Sequence, residues 1–310
     1  MSIALCIPAY NAGEFIDRLL KSALAQTIPF DEIWVYDDCS TDETEKIAAE
    51  FGVNVVRGDV NRGCSFGKNV LAEKTTCDWI HFHDADDVLY PNFVEQASKW
   101  ISQDHAPDVV LFSYEYRDNE TNELLSIRVF DDLELRRDAI SYTIRDQINP
   151  FCGLYRRSAF LKAGGYDLDP LVLYNEDCAF HCQLARAGLS FAADSTVTVI
   201  NYRCSNSMSS ANQIKCARSQ FHVLKKSAEA LGDRYNDEIS QKLWGLAGVS
   251  GSYLDWEYAD ACISLALSTN REFPQKLSLL FKFLCYCNPY LAIRVREYLI
   301  RLLKPSLRKK

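Results

Sequence analysis

The stretch that decides the fold is Trp79-Ile80-His81-Phe82-His83-Asp84-Ala85-Asp86-Asp87-Val88-Leu89-Tyr90-Pro91. Its first half is an apolar run of strand length, and it delivers three carboxylates to the strand's carboxyl end. Unpaired buried anions are very costly, so carboxylates this close together require a cation or a water-filled cleft. Mg²⁺ or Mn²⁺ on a diphosphate suits them, because hard cations take oxygen ligands, often one or two carboxylates plus phosphates. The competing explanation is an acidic loop that caps a helix starting near Pro91.

The flanking sequence favours the cleft. Upstream, Ile3–Ile7 predicts a buried strand ended by Pro8, Glu14–Gln26 a helix, and Glu32–Tyr36 a second strand running into Asp37 and Asp38. A helix from Ser40 or Thr41 to Phe51, a strand at Val53–Val56 and a helix at Ser65–Lys74 follow. Downstream come a helix at Pro91–Gln103 and a strand at Asp108–Tyr114. Strands alternating with helices indicate an α/β, mostly parallel, helix-covered sheet of Rossmann-like type. Ligands bind such sheets beyond the carboxyl ends of the strands, where Asn11, Asp38 and Asp84–Asp87 all fall. After strands near Asn149–Leu154 and Ala192–Tyr202 the pattern turns helical to the end. We therefore expect a domain at 1–208 and a C-terminal helical region at 209–310.

The 310 residues are 48% hydrophobic and 25% charged, an ordinary globular composition, and the net charge of −8 argues against nucleic-acid binding. That charge is uneven. Residues 274–310 hold nine Lys/Arg against one Glu, a local +8, which leaves −16 on residues 1–273. A basic tail rich in Leu, Phe and Tyr on an acidic body suggests an anionic membrane surface as partner, with core covering or a homodimer surface as alternatives. The twelve cysteines contain no Cys-x-x-Cys pair, and Cys6 sits in an apolar run. They read as reduced core thiols of a cytoplasmic protein, and Cys178, His181 and Cys182 as packing rather than a zinc site. Met1–Cys6 lacks a basic n-region, and no apolar run reaches the roughly 18–20 residues of a membrane span.

Five motifs occur in order: Pro8-Ala9-Tyr10-Asn11, Tyr36-Asp37-Asp38-Cys39-Ser40-Thr41-Asp42, Asn61-Arg62-Gly63 with Lys68-Asn69, Asp84-Ala85-Asp86-Asp87, and Asn175-Glu176-Asp177. In combination they resemble glycosyltransferase family 2, over roughly residues 1–205. The resemblance implies a GT-A fold, a divalent metal (Mn²⁺ or Mg²⁺), a nucleotide-diphosphate sugar donor and inversion at the anomeric carbon. It implies donor binding by Pro8, Tyr10, Asn11, Asp38, Lys68, Asp84 and Asp86, with Asp38 reading the nucleobase. The metal falls to Asp86, with Asp87 behind it, and the catalytic base to Asp177. Glu176, Arg156 and Tyr166 fall on the acceptor side.

Two departures from the family pattern stand out. Cys39 replaces a common Gly, which alters a turn, and Lys68 replaces an Arg, which loses the planar bidentate fork. His83 as a metal ligand and Tyr166 as a sugar-stacking ring both compete with plain core packing. His222 sits where some relatives carry a metal-binding histidine. The Gln-x-x-Arg-Trp motif of processive synthases is absent, which favours transfer of one sugar to a glycan or lipid-linked glycan in surface polysaccharide synthesis, on the cytoplasmic face of the membrane. The alternatives are a non-catalytic nucleotide-sugar or glycan-binding module, and a sugar nucleotidyltransferase. The latter needs a basic Gly-rich loop after the first strand, and Ala9–Gly13 supplies no basic residue.

Overall fold

Ile3–Ala9 forms β1, and all seven of its residues are buried, as a continuous apolar run at the centre of a covered sheet must be. The computed structural model describes residues 1–203, 211–273 and 278–308. Around β1 the chain lays down α1 (Ile16–Leu24), β2 (Glu32–Asp37), α2 (Thr44–Glu50), β3 (Asn54–Arg57), α3 (Cys64–Lys74) and β4 (Trp79–Phe82). Next come β5 (Val88–Leu89), α4 (Phe93–Ile101), β6 (Val109–Asp118), β7 (Leu124–Arg128), α5 (Asp132–Arg137), α6 (Ala139–Arg145), β8 (Gly153–Arg156), α7 (Arg157–Lys162), α8 (Glu176–Arg186) and β9 (Phe191–Arg203).

The nine strands form one sheet in the order β3-β2-β1-β4-β8-β6-β9-β5, with β7 added to β6. The β3-β2-β1-β4 half is wholly parallel. Beyond it the sheet is mixed: β8 runs antiparallel to both β4 and β6, while β6 and β9 are parallel. The difference from a mostly parallel sheet arises where the regular strand–helix alternation stops, since reversed strands do not need a crossover helix between every pair. Under the end of β4 an aromatic core gathers. The Phe82 ring lies 5.3–6.4 Å from those of Tyr155, Phe160, Tyr166 and Phe180. This packing fixes the strand end that carries the acidic loop.

The chain divides into two compact units, one of residues 1–143, 147–168 and 179–207, the other of 144–146, 169–178 and 208–310. Residues 169–178 join the second unit through local bonds. The Tyr174 N–H donates to Ser219 Oγ at 3.4 Å, Asn175 Nδ2 donates to the Cys216 carbonyl at 3.1 Å, and Lys226 pairs with Asp169 at 2.6 Å. A single cut near residue 208 therefore misses two excursions of the chain. The described helices of the second unit's C-terminal part are α9 (Gln213–Leu231), α10 (Asn236–Ser252), α11 (Trp256–Thr269), α12 (Leu279–Cys287) and α13 (Pro289–Leu303). Lys276 and Leu277 of the predicted basic tail lie outside the described residues.

Candidate active site

Three loops leave the carboxyl ends of the parallel strands. The loop after β1 turns at Asn11, whose φ of 48° lies in the left-handed region that Asn tolerates. Its N–H donates to Ser40 Oγ at 2.9 Å, and its Oδ1 accepts from the Thr41 N–H at 2.8 Å. Asn11 is thus the staple between the first two loops. Tyr10 beside it is half exposed at 51%. Pro8 is buried, and a Cβ on Gly67 would come within 3.3 Å of it and 2.7 Å of Tyr36. Pro8 therefore supports the close approach of α3 instead of lining an open pocket wall.

The loop after β2 turns at Cys39, with φ of 63°. This is the position where the family resemblance implies Gly, and here a side chain is held in a strained backbone. Asp37 is buried and takes an ion pair from Arg57. Asp38 is also buried, and its two oxygens accept the N–H groups of Arg62 at 2.8 Å and Gly63 at 2.7 Å. It therefore shapes the loop that opens α3. Each oxygen keeps a second lone pair for a ligand.

The acidic loop after β4 divides its three carboxylates sharply. Asp84 is part-exposed and lies 3.4 Å from Lys68 Nζ, whose own side chain is only 2% exposed. Lys68 is no solvated helix lysine, and its ammonium also sits 5.3 Å from the centre of the Tyr166 ring. Asp86 is exposed, with no side-chain partner among the described residues, while its carbonyl accepts from Arg18 Nη2 at 2.6 Å. Surrounding protein mass and the neighbouring Asp84 charge raise the Asp86 carboxyl above the ordinary range. Asp87 is wholly buried and accepts from Asn201 Nδ2 at 2.8 Å and the Tyr202 N–H at 2.9 Å. Burial and its two acidic neighbours push its carboxyl well up. Asp87, expected behind Asp86 as a metal ligand, is fully enclosed here and serves as the loop's tether to β9.

Behind the loop, two buried histidines share a defined proton arrangement. His81 Nδ1 lies 2.8 Å from the Gly153 carbonyl, which can only accept, so Nδ1 carries the proton. Burial lowers both imidazoles, His83 to about 3, so both are neutral near pH 7. The bare His81 Nε2 then accepts from His83 Nδ1 at 3.0 Å. His83 Nε2 has no hydrogen-bond partner among the described residues, and the Phe151 backbone near the ring opposes the lowering by burial.

The acceptor-side expectations fare differently. Arg156 pairs with Trp79 in the β4–β8 register, at the end of β4 remote from Asp84. It bonds Asp108 at 2.9 Å and the Ala106 carbonyl at 2.7 Å, and stacks on Trp79 at 4.4 Å. It braces the opposite end of the sheet, and its acceptor-side placement is corrected. Tyr166 is buried and stacked 4.0 Å from Phe180, so core packing is its position. Glu176 and Asp177 occupy the first turn of α8, where carboxylates meet the positive helix end, and both belong to the second unit. His181 bonds Tyr155 at 2.9 Å and Cys182 donates to the Thr143 carbonyl, so their polar atoms have separate partners. His222 bonds the Tyr258 hydroxyl at 3.2 Å.

Sequence reasoning missed Arg18 and Asn201. Arg18 also lies 3.9 Å over the Tyr202 ring, so α1 and β9 both hold the acidic loop. Among the described residues no three His, Cys, Asp or Glu side chains form a ready-made metal cage. Asp86 beside Asp84 nonetheless fits a hard divalent cation, since the Asp84 charge that raises the Asp86 carboxyl is offset by one. Such a cation takes its other ligands from phosphate and water.

The strand order and the Asp-x-Asp loop at the end of β4 are the features that the comparisons share. The fold is that of Staphylococcus aureus TarS residues 1–349, crystallised with UDP-GlcNAc. The TM-score is 0.71 at 18% identity, covering 97% of this chain and 92% of that one. The Pyrobaculum calidifontis mannosyltransferase PcManGT, solved with GDP-Man and Mn²⁺, aligns at TM-score 0.56 and 16% identity, covering 96% and 86%. These are GT-A folds. The profile of Glycosyl transferase family 2 matches residues 4–163, and the chain belongs to that family. Among curated relatives, an Escherichia coli chondroitin synthase is 36% identical over 97 residues, 30% of this chain and 14% of its own. A glycosyltransferase of Rickettsia prowazekii is 30% identical over 128 residues, 41% of this chain and 40% of its own. The chain thus matches less than half the length of these relatives.

Proposed function

We propose that the protein moves one sugar from a nucleotide-diphosphate donor, a UDP-sugar first among these, to a hydroxyl of a glycan or lipid-linked glycan, with inversion. The observation that carries this is Asp86, an accessible carboxylate without a side-chain partner, beside Asp84 at the end of the central strand β4. Asp84 and Asp86 would hold Mn²⁺ or Mg²⁺, which supplies charge neutralisation for the leaving diphosphate. Lys68 holds Asp84 in place from below. Arg18 fixes the backbone at Asp86, and Asp87 keeps the loop on β9. Asp38 offers its remaining lone pairs to the N–H edge of the base, and half-exposed Tyr10 offers a ring to base or ribose. Asp177 takes the proton of the attacking hydroxyl.

This reading includes surface polysaccharide synthesis at the cytoplasmic face of the membrane, with the protein peripheral to it. No described helix is long and apolar enough to cross a membrane. The test is a panel of UDP-, GDP- and other nucleotide sugars, followed by thermal unfolding with and without Mn²⁺. A true donor raises the midpoint, as any ligand of the native state alone must, and its nucleoside diphosphate is released once acceptor is added. A donor that stabilises the protein but is never turned over would identify a binding module instead.

A further inference from the structure

Helices α12 and α13 form a hairpin in which Asn288 ends the first and caps the second, its Oδ1 accepting the Leu291 N–H at 3.0 Å. The inner side is small and closed: Cys285, Ala292, Ile293 and Glu297 are buried. The outer side is the reverse of an ordinary surface. Leu279, Leu280, Phe283, Tyr286, Leu302 and Leu303 are each between 61% and 86% exposed. In α12, Leu279 or Leu280, Phe283 and Tyr286 fall at steps of three and four residues, the spacing of a single apolar stripe, and Leu302 and Leu303 add two exposed side chains from the end of α13. Single exposed apolar residues are normal, but a contiguous set of this size marks a partner.

The charges say which partner. Arg294 is paired with Asp260, and Arg301 and Arg308 with Glu297. Lys282, Arg296 and Lys304 have no ion-pair partner among the described residues. Arg296 and Lys304 share a groove of about 290 Å³ with Leu280, Leu299 and Leu303, so free cations border the apolar stripe. An apolar face rimmed by unpaired cations matches an anionic bilayer, where side chains enter the acyl boundary and cations meet headgroups. A second copy matches it poorly, because a two-fold contact sets the same basic patch against itself.

We propose that this outer face of α12 and α13 docks in the plane of an anionic lipid bilayer. The proposal rests on the membrane reading above and assigns it to one surface. The test is flotation of the full chain with phosphatidylcholine vesicles, with and without phosphatidylglycerol, alongside the variants Leu280→Ser/Phe283→Ser/Leu303→Ser and Lys282→Glu/Lys304→Glu. The parent should float with the anionic vesicles only, and release with rising salt. Each variant should lose about tenfold or more of that binding. The changed side chains are exposed except for half-buried Lys282, and an unaltered thermal midpoint shows that both variants remain folded. Parent protein that ignores anionic vesicles overturns the membrane reading itself. Variants that float like the parent overturn only the assigned face. A parent dimer by light scattering that the triple variant dissolves makes this face a self-interface and overturns the proposal.

Discussion

Asn201 donates its side-chain amide to Asp87 at 2.8 Å across 114 residues of sequence, and the adjacent Tyr202 N–H bonds the other Asp87 oxygen. The most buried carboxylate of the acidic loop is therefore its tether to β9. Asp87→Ala leaves two part-buried donors without this partner, at about 1–3 kcal/mol each where water does not replace it. Urea denaturation should show stability falling by roughly 2–5 kcal/mol on that account. A variant as stable as the parent would show that the tether carries no weight.

Arg18 holds the Asp86 carbonyl at 2.6 Å from outside the acidic motif. Arg18→Ala should weaken donor binding about tenfold, the equivalent of ~1.4 kcal/mol for one lost charge-assisted bond. Turnover at saturating donor should change little, since Arg18 positions the loop and touches no reacting atom. Calorimetric titration of the nucleotide with a kcat measurement separates the two effects. A fall in kcat with unchanged affinity would contradict this role.

The buried histidine pair makes stability depend on pH in one direction. Both imidazoles are lowered in the native state, so their neutral forms contribute stability above the unfolded value of about 6.5. That contribution is lost on acidification, for His83 between about 6.5 and about 3. The unfolding free energy should drop by roughly 1.4 kcal/mol per pH unit for each histidine that only the unfolded chain protonates. His83→Gln should remove one such proton from the slope measured by urea melts at pH 7, 6 and 5. A slope unchanged in that variant would mean that His83 is already charged when folded.

Asp177→Asn keeps the shape of the side chain and removes its basicity. Turnover should fall by about 10²–10⁴-fold, with the donor dissociation constant essentially unchanged. Retained turnover would assign proton removal to another group.

The legible parts of the fold were those with a local period. The runs of β1, β2 and β4, and the 3.6-residue spacing of α1, are each visible within one element. Edge strand β7 was not legible, because Leu124, Leu125 and Ile127 are all exposed and mark no buried face. Within Asp84, Asp86 and Asp87 the sequence shows three equivalent acids. Their division into paired, accessible and buried is decided by Lys68, Arg18 and Asn201, none of them adjacent in the chain. Arg156 was misplaced for the same reason: its position follows from the antiparallel register of β8 on β4, and one strand does not reveal its neighbour's direction.

The central claim is that Asp86 grips a cation on which a diphosphate rests. Its most direct test is calorimetric titration of UDP into the parent and Asp86→Ala, each with and without Mn²⁺. The account predicts that Mn²⁺ tightens UDP binding by the parent at least about tenfold, ~1.4 kcal/mol, and does nothing for the variant. Equal Mn²⁺-dependent affinity in both proteins would contradict it.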